Sequence, residues 1–199
     1  MNDTHQDREP ASDDRKAGVC PEFSRLNENP ASQYTPQDWA NNNIVKVQKD
    51  HLPSAAGVFT NTHYHHKLLE MKHLSLTDGD RLKVKGIIQR DAESFKIELG
   101  CGTDDIALHF NPRYDDDADG SVIVCNSKSG GSWGDEVRDT HNPPHRGGEV
   151  KLELTLAGDV FEVELPDGQQ LQFPNRENVD VINYVRIAGD FKLTSFKIC

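Results

Sequence analysis

No run in the sequence approaches the roughly 20 consecutive apolar residues that cross a bilayer as a helix. The opening residues, Met1-Asn2-Asp3-Thr4-His5-Gln6-Asp7, hold no apolar core of the signal-peptide kind. Membrane insertion is therefore not expected; residence in the cytosol is, and a role outside the cell would require export without a signal peptide. Cysteine is scarce as well: Cys20, Cys101, Cys125 and Cys199 are widely spaced and form no C-x-x-C pair and no compact framework of the kind found in small secreted domains. All four are expected to be reduced thiols, with Cys199 the most open to oxidation because of its position at the chain terminus. Basic charge is in short supply too. With 22 Lys and Arg against 33 Asp and Glu, the formal charge is −11, which argues against general affinity for nucleic acid or anionic membranes. A neutral ligand fits better.

A chain of 199 residues accommodates one ordinary domain and a tail more easily than two thin domains. Residues 1–66 contain five of the ten prolines, Pro10, Pro21, Pro30, Pro36 and Pro53, together with polar runs such as Asn41-Asn42-Asn43. Without sustained periodicity, this stretch reads as a flexible or partly docked N-terminal extension. Its aromatics, Phe23, Tyr34, Trp39, Phe59 and Tyr64, are what docking would use.

From about residue 67 the pattern becomes short alternating segments. Leu82 and Val84 alternate with Arg81, Lys83 and Lys85, and Phe95, Ile97 and Leu99 with Ser94, Lys96 and Glu98. Val150, Leu152, Leu154 and Leu156 repeat the pattern, as do Phe161, Val163 and Leu165. Between the segments fall Thr77-Asp78-Gly79-Asp80, Ala157-Gly158-Asp159 and Pro166-Asp167-Gly168, which have the turn chemistry of tight reversals. About ten or eleven strands with almost no helical period predict an all-β domain over 67–199, an antiparallel sandwich of two sheets.

One stretch concentrates polar chemistry. In Ile106 to Arg113 the two-residue period sends Ile106, Leu108 and Phe110 inward and His109, Asn111 and Arg113 outward. Pro112, which cannot donate to a ladder, suits the end of that strand. The next strand, Ser121 to Asn126, adds Asn126 to the same face with Ile123 and Cys125 turned to the core. After Gly130-Gly131 come Trp133, Glu136 and Arg138. Donors and acceptors in a row suit hydroxyl groups, each of which both donates and accepts, while an exposed indole can cover the C–H face of a sugar such as galactose.

His109-Phe110-Asn111-Pro112-Arg113, Val124-Cys125-Asn126 and Trp133-Gly134-Asp135-Glu136-Val137-Arg138 resemble the H-x-N-P-R, V-x-N and W-x-x-E-x-R elements of galectins in order and spacing. The resemblance runs from about 67 to 199 and includes Phe173-Pro174-Asn175-Arg176, Ile182-Asn183-Tyr184 and Gly189-Asp190-Phe191. It implies a jelly-roll-like sandwich whose concave sheet binds β-galactosides of the lactose or N-acetyllactosamine type. By the same resemblance His109, Asn111 and Arg113 would hold the axial 4-hydroxyl, Asn126 and Glu136 the 6-hydroxyl, and Trp133 the apolar face. Arg113, Glu136 and Arg138 would reach the neighbouring sugar, and acidic partners of Arg138 would hold Glu136 in place. Some galectins carry histidine where Asp117 stands here, so the acidic loop Asp115 to Asp119 is expected to disfavour sialylated or sulfated extensions.

Other chemistries find little support. Asp115-x-Asp117-x-Asp119-Gly120 imitates the start of an EF-hand loop, but its twelfth position is Asn126 and strands flank it. His63-Tyr64-His65-His66, with His51 and His73, lacks the spacing of a metal site. A glycosidase needs two carboxyl groups across the sugar, and only Glu136 sits among the polar residues; no G-x-S-x-G element is present. The expectation is a lectin without cofactor or metal that binds glycans on glycoproteins or glycolipids and cross-links them, with a homodimer as one route to valency. The rival reading is an intracellular interaction module that keeps the fold without significant sugar binding.

Overall fold

Strands begin where the alternation does. The computed structural model describes residues 68–199, and the Pro-rich stretch 1–66, with its aromatics and the histidines of 51–66, lies outside the described residues. In chain order the strands are β1 (Leu68–Leu76), β2 (Arg81–Ile88), β3 (Phe95–Gly100), β4 (Ile106–Asp116), β5 (Gly120–Ser129), β6 (Ser132–Trp133), β7 (Val137–Asp139), β8 (Glu149–Ala157), β9 (Val160–Glu164), β10 (Gln170–Pro174), β11 (Ile182–Gly189) and β12 (Phe191–Ile198). The larger sheet has the order β1-β11-β3-β4-β5-β6, with β7 also on β5, and the smaller one has the order β10-β9-β8-β2-β12. Every ladder is antiparallel. The expected two-sheet antiparallel sandwich is the fold. Among the described residues no helix is long and apolar enough to cross a membrane.

Each sheet turns its apolar residues inward. Phe95, Ile97, Leu108 and Phe110 of the larger sheet and Leu82, Val84, Leu154 and Phe161 of the smaller one are buried in one continuous core. Phe95 fastens the two layers together. Its ring stacks on Phe191 of β12 at 4.9 Å and meets Phe110 of β4 edge-on at 6.5 Å, geometries that add to the burial of apolar area. Gly86 of β2 makes room for this contact, because a Cβ there would stand 2.3 Å from the Phe191 ring.

Two details depart from expectation. Pro112 does not end its strand; β4 continues to Asp116. The backbone hydrogen bond from Tyr114 N–H to Glu93 O, and the β3–β4 register Ile97↔Phe110, make Phe95 and Pro112 a hydrogen-bonded pair by alternation. Pro112 has no N–H to give, and the Asn111 side-chain amide donates to Phe95 O at 2.6 Å instead. A side chain thus repairs the ladder where proline breaks it. The expectation of four reduced thiols fails at Cys101, which is disulfide-bonded. Cys101 is only half-buried and follows the last residue of β3 at the rim of the sheet, where another segment can reach its sulfur. Cys125 and Cys199 are free thiols; burial pushes the Cys125 thiol up to about 12, so it behaves as a small apolar core residue.

Candidate functional site

Because Leu108 and Phe110 point into the core, His109, Asn111 and Arg113 of β4 stand on the opposite, outer face of the larger sheet. β5 runs beside them in a register that pairs His109 with Asn126 and Asn111 with Val124, and β7 places Arg138 opposite Val124. One row of the pleat therefore carries Asn111, Val124 and Arg138, and the adjacent row carries His109 and Asn126.

Arg113 and Arg138 bind one another through shared acids. Arg113 donates from Nη2 to Glu136 Oε1 at 3.2 Å and from Nη1 to Asp116 Oδ2 at 3.0 Å. Arg138 donates from Nη1 to Glu136 Oε2 at 2.5 Å, to Asp116 Oδ1 from Nη2 at 2.5 Å, and to Asp119 from Nε at 2.7 Å. Arg113, Glu136, Arg138 and Asp116 thus close a ring of alternating charge. Bonds from Arg113 and from the backbone of Ala118 and Asp119 hold the Asp116 carboxyl below its ordinary value. Partial burial pushes Glu136 upward, but its bonds with Arg138 and Arg113 outweigh this and lower it. With both carboxylates kept ionised, the ring offers no carboxylic acid to protonate a leaving group.

The arrangement still leaves donors unspent. Arg113 also donates from Nε to Asn111 Oδ1 at 2.9 Å, so each of its three nitrogens has one partner and the two terminal nitrogens each keep one N–H. Asn111 retains one amide hydrogen after its bond to Phe95 O. Asn126 is more committed: it donates to Gly134 O at 2.9 Å and accepts from Ser127 N–H at 2.8 Å.

Trp133 completes the face. Gly130 and Gly131 both have positive φ, 53° and 84°, and form the two-residue turn that joins β5 to β6 with the hand a hairpin needs. The turn is tied to the loop before β4 by Gly130 N–H to Asp105 Oδ1 at 2.8 Å and Gly131 N–H to Asp104 O at 2.9 Å. Trp133 is 49% exposed; its ring meets His109 edge-on at 4.8 Å, with the Lys128 ammonium 5.4 Å away. All seven residues singled out by sequence, His109, Asn111, Arg113, Asn126, Trp133, Glu136 and Arg138, share this face.

Sequence reasoning overlooked several supports. Asp116, within the acidic loop Asp115 to Asp119, is a corner of the ion ring. Arg176 lies over Phe173 at 4.8 Å and donates to Asp135 O at 2.7 Å, bracing the segment between Trp133 and Glu136. Asn175 sets that arginine's loop by bonding Val179 in both directions. Glu98 of β3 is 1% exposed and lies 2.8 Å from His109 Nδ1. The signal for Glu98 was faint: a charged residue in an alternating strand ordinarily means a wet face.

A family model described as galactoside-binding lectin matches residues 67–198. Human Galectin-2 is 43% identical over 130 residues, which cover 65% of this chain and 96% of that protein. The crystal structure of chicken Galectin 2 is 48% identical with a TM-score of 0.62, covering 65% of this chain and 97% of its own. CG-16, a homodimeric agglutinin from chicken liver, is 35% identical with a TM-score of 0.64, covering 66% and 99% respectively.

The ion ring has a definite acid sensitivity. Its two carboxyls are lowered in the folded state, so their stabilisation is complete above the unfolded carboxylate values, near about pH 4, and is lost as pH falls through the lower folded values. Replacing Arg138 with Met removes a cause of both shifts. The variant should show a smaller drop in Tm than the wild type between about pH 6 and pH 3 by calorimetry; an equal drop would mean that the ring adds no pH-dependent stability.

Proposed function

Given that the chain belongs to the galectin family of galactoside-binding lectins, we propose that it holds β-galactosides on the outer face of the larger sheet through His109, Asn111, Arg113, Asn126, Trp133, Glu136 and Arg138. The protein is a β-galactoside-binding lectin and not an enzyme. Residues 67–199 act as the recognition domain and 1–66 as an extension of it. The observation that carries the assignment of residues is the exposed Trp133 ring set against His109, beside an Arg113 with unspent donors. Indole contact with the C–H face of galactose and hydrogen bonds to its hydroxyls then act from different directions. The axial 4-hydroxyl meets His109, Asn111 and Arg113; the 6-hydroxyl meets Asn126 and Glu136; Arg113, Glu136 and Arg138 reach the adjoining glucose or N-acetylglucosamine. Each hydrogen bond replaces one to water and nets only about 0.5–1.5 kcal/mol, so affinity for a single small sugar is modest.

Beyond galactose, the acidic hairpin shapes preference. Asp116 and Asp119 are counterions of arginine in the site, and Asp115 pairs with Arg146. Asp117 is exposed at the tip and is the group that faces an approaching extension. Sialylated or sulfated glycans are disfavoured there by like charge.

Cross-linking glycoproteins or glycolipids requires two sites. Among the described residues β1 and β12 are each an edge strand of their sheet, a geometry that suits pairing with a second copy, and CG-16 is homodimeric. A homodimer through these edges supplies the second site. The chain resides in the cytosol, and glycans outside the cell are reached by export.

Three outcomes follow. Lactose should elute the protein from a galactose resin and shift its tryptophan fluorescence, while Trp133→Ala and Arg113→Ala should each weaken lactose at least about tenfold, a loss of about 1.4 kcal/mol, with a folded circular-dichroism spectrum; no response to lactose by the wild type would refute the site. On a glycan array, Asp117→Asn should gain anionic galactosides over the wild type, and wild-type preference for sialylated or sulfated extensions would overturn the role given to the hairpin. Light scattering of the full chain should return the mass of two chains; a single-chain mass at all concentrations would remove the dimer.

A further inference from the structure

A line of paired residues crosses five strands of the larger sheet: Glu70 of β1 opposite Arg186 of β11, Arg186 opposite Glu98 of β3, Glu98 opposite His109 of β4, and His109 opposite Asn126 of β5. Cross-strand neighbours of this kind are close enough to interact directly. The proposed sugar site uses the β4 and β5 end of this line, and nothing in that reading assigns a task to Glu98.

Glu98 is an unusual residue to find there. A carboxylate with 1% exposure is costly unless it is paired and hydrogen-bonded. Its Oε1 lies 2.8 Å from His109 Nδ1 and 3.2 Å from Lys96 Nζ, and its Oε2 is 3.6 Å from Arg186 Nη1. Burial pushes the Glu98 carboxyl up, but the bond with His109 and the charge of Lys96 outweigh it and keep the group below its ordinary value. Flanked by the Lys96 ammonium on Oε1 and the Arg186 guanidinium near Oε2, Glu98 is an anion, able only to accept. For the 2.8 Å contact to be a hydrogen bond, Nδ1 must carry the proton.

We propose that Glu98 is a positioning residue that holds the His109 proton on Nδ1, so that the imidazole, when it carries one proton, presents Nε2 as a bare acceptor to the ligand. An imidazole has only one N–H when neutral, so fixing it on one nitrogen determines the role of the other. The hydroxyl that meets His109 must then donate to Nε2, and it accepts in turn from the unspent N–H groups of Asn111 and Arg113. Hydrogen bonding through the site acquires one direction: from the guanidinium and amide, through the sugar hydroxyl and the imidazole, to the buried carboxylate. The edge contact with Trp133 at 4.8 Å and the pairing with Glu98 together hold the ring's plane.

The ligand half of this inference rests on the galactoside reading; the proton's position does not, which keeps the two separable. Imidazole nitrogen-15 NMR of the full chain without ligand, above about pH 8 where histidine is ordinarily neutral, should show His109 with a protonated Nδ1 and a bare Nε2. Glu98→Ala should lose that pattern and weaken lactose on the order of tenfold, whereas Glu98→Gln, whose Oε1 still accepts from Nδ1–H, should keep the pattern and lie within about threefold of the wild type. A protonated Nε2 in the wild type overturns the proposal, as does a Glu98→Ala variant with wild-type spectrum and affinity. Should Glu98→Ala not fold, the wild-type spectrum and Glu98→Gln still decide. A wild type with protonated Nδ1 that fails to bind lactose would sink the galactoside reading and the ligand half, with the lock itself upheld.

Discussion

Burial of Leu108 and Phe110 between the two sheets fixes the direction of every residue that alternates with them, and the whole of the proposed recognition face depends on that constraint. With these side chains down, His109, Asn111 and Arg113 must stand up. A register slip of one residue would exchange the two sets and put an imidazole, an amide and a guanidinium in the core. The Phe95 ring, stacked on Phe191 and set against Phe110, makes such a slip costly because it would have to break contact with both layers at once. Specificity for a polar ligand is in this sense guaranteed by apolar packing on the far side of the sheet.

The same strand shows how a local fault is absorbed. Pro112 removes a ladder donor in the middle of β4, and Asn111 spends half of its amide on the orphaned Phe95 carbonyl. Asn111 is thus at once a repair to the sheet and a member of the proposed site. Substituting it would disturb both, so loss of binding in an Asn111 variant would not by itself prove contact with the sugar.

The fold was legible because alternation is a short-range signal: Leu82 to Lys85, Phe95 to Leu99 and Val150 to Leu156 announce strands on their own, and Asp-Gly turns mark where they end. The outward row on β4 was legible for the same reason. What failed to show in the sequence depended on pairings between distant segments. Asp116 looks like its acidic neighbours until β4, β5 and β7 bring two arginines to it, and Arg176 lies 41 residues from the Asp135 carbonyl it braces. Glu98 has the pattern of a wet strand residue and is buried, because its cross-strand neighbours His109 and Arg186 close over it from β4 and β11. Pro112 misled in the opposite way: its missing donor pointed to a strand end, and a neighbouring side chain removed the need for one. For Cys101, wide spacing argued for a thiol, but spacing cannot report which segment approaches the rim of a sheet.

The ring of Arg113, Glu136, Arg138 and Asp116 has equal numbers of positive and negative groups. Viewed from a distance its monopole vanishes, and the field that remains falls off faster than that of a single charge. A galactose lodged a hydrogen bond away still meets strong, oriented local fields. A glycan a Debye length out, about 8 Å at physiological salt, senses instead the unbalanced acids of the hairpin and the chain's overall charge of −11. The proposed site would thus act at two ranges: attraction by contact for a neutral sugar, and a diffuse negative approach that selects among larger glycans.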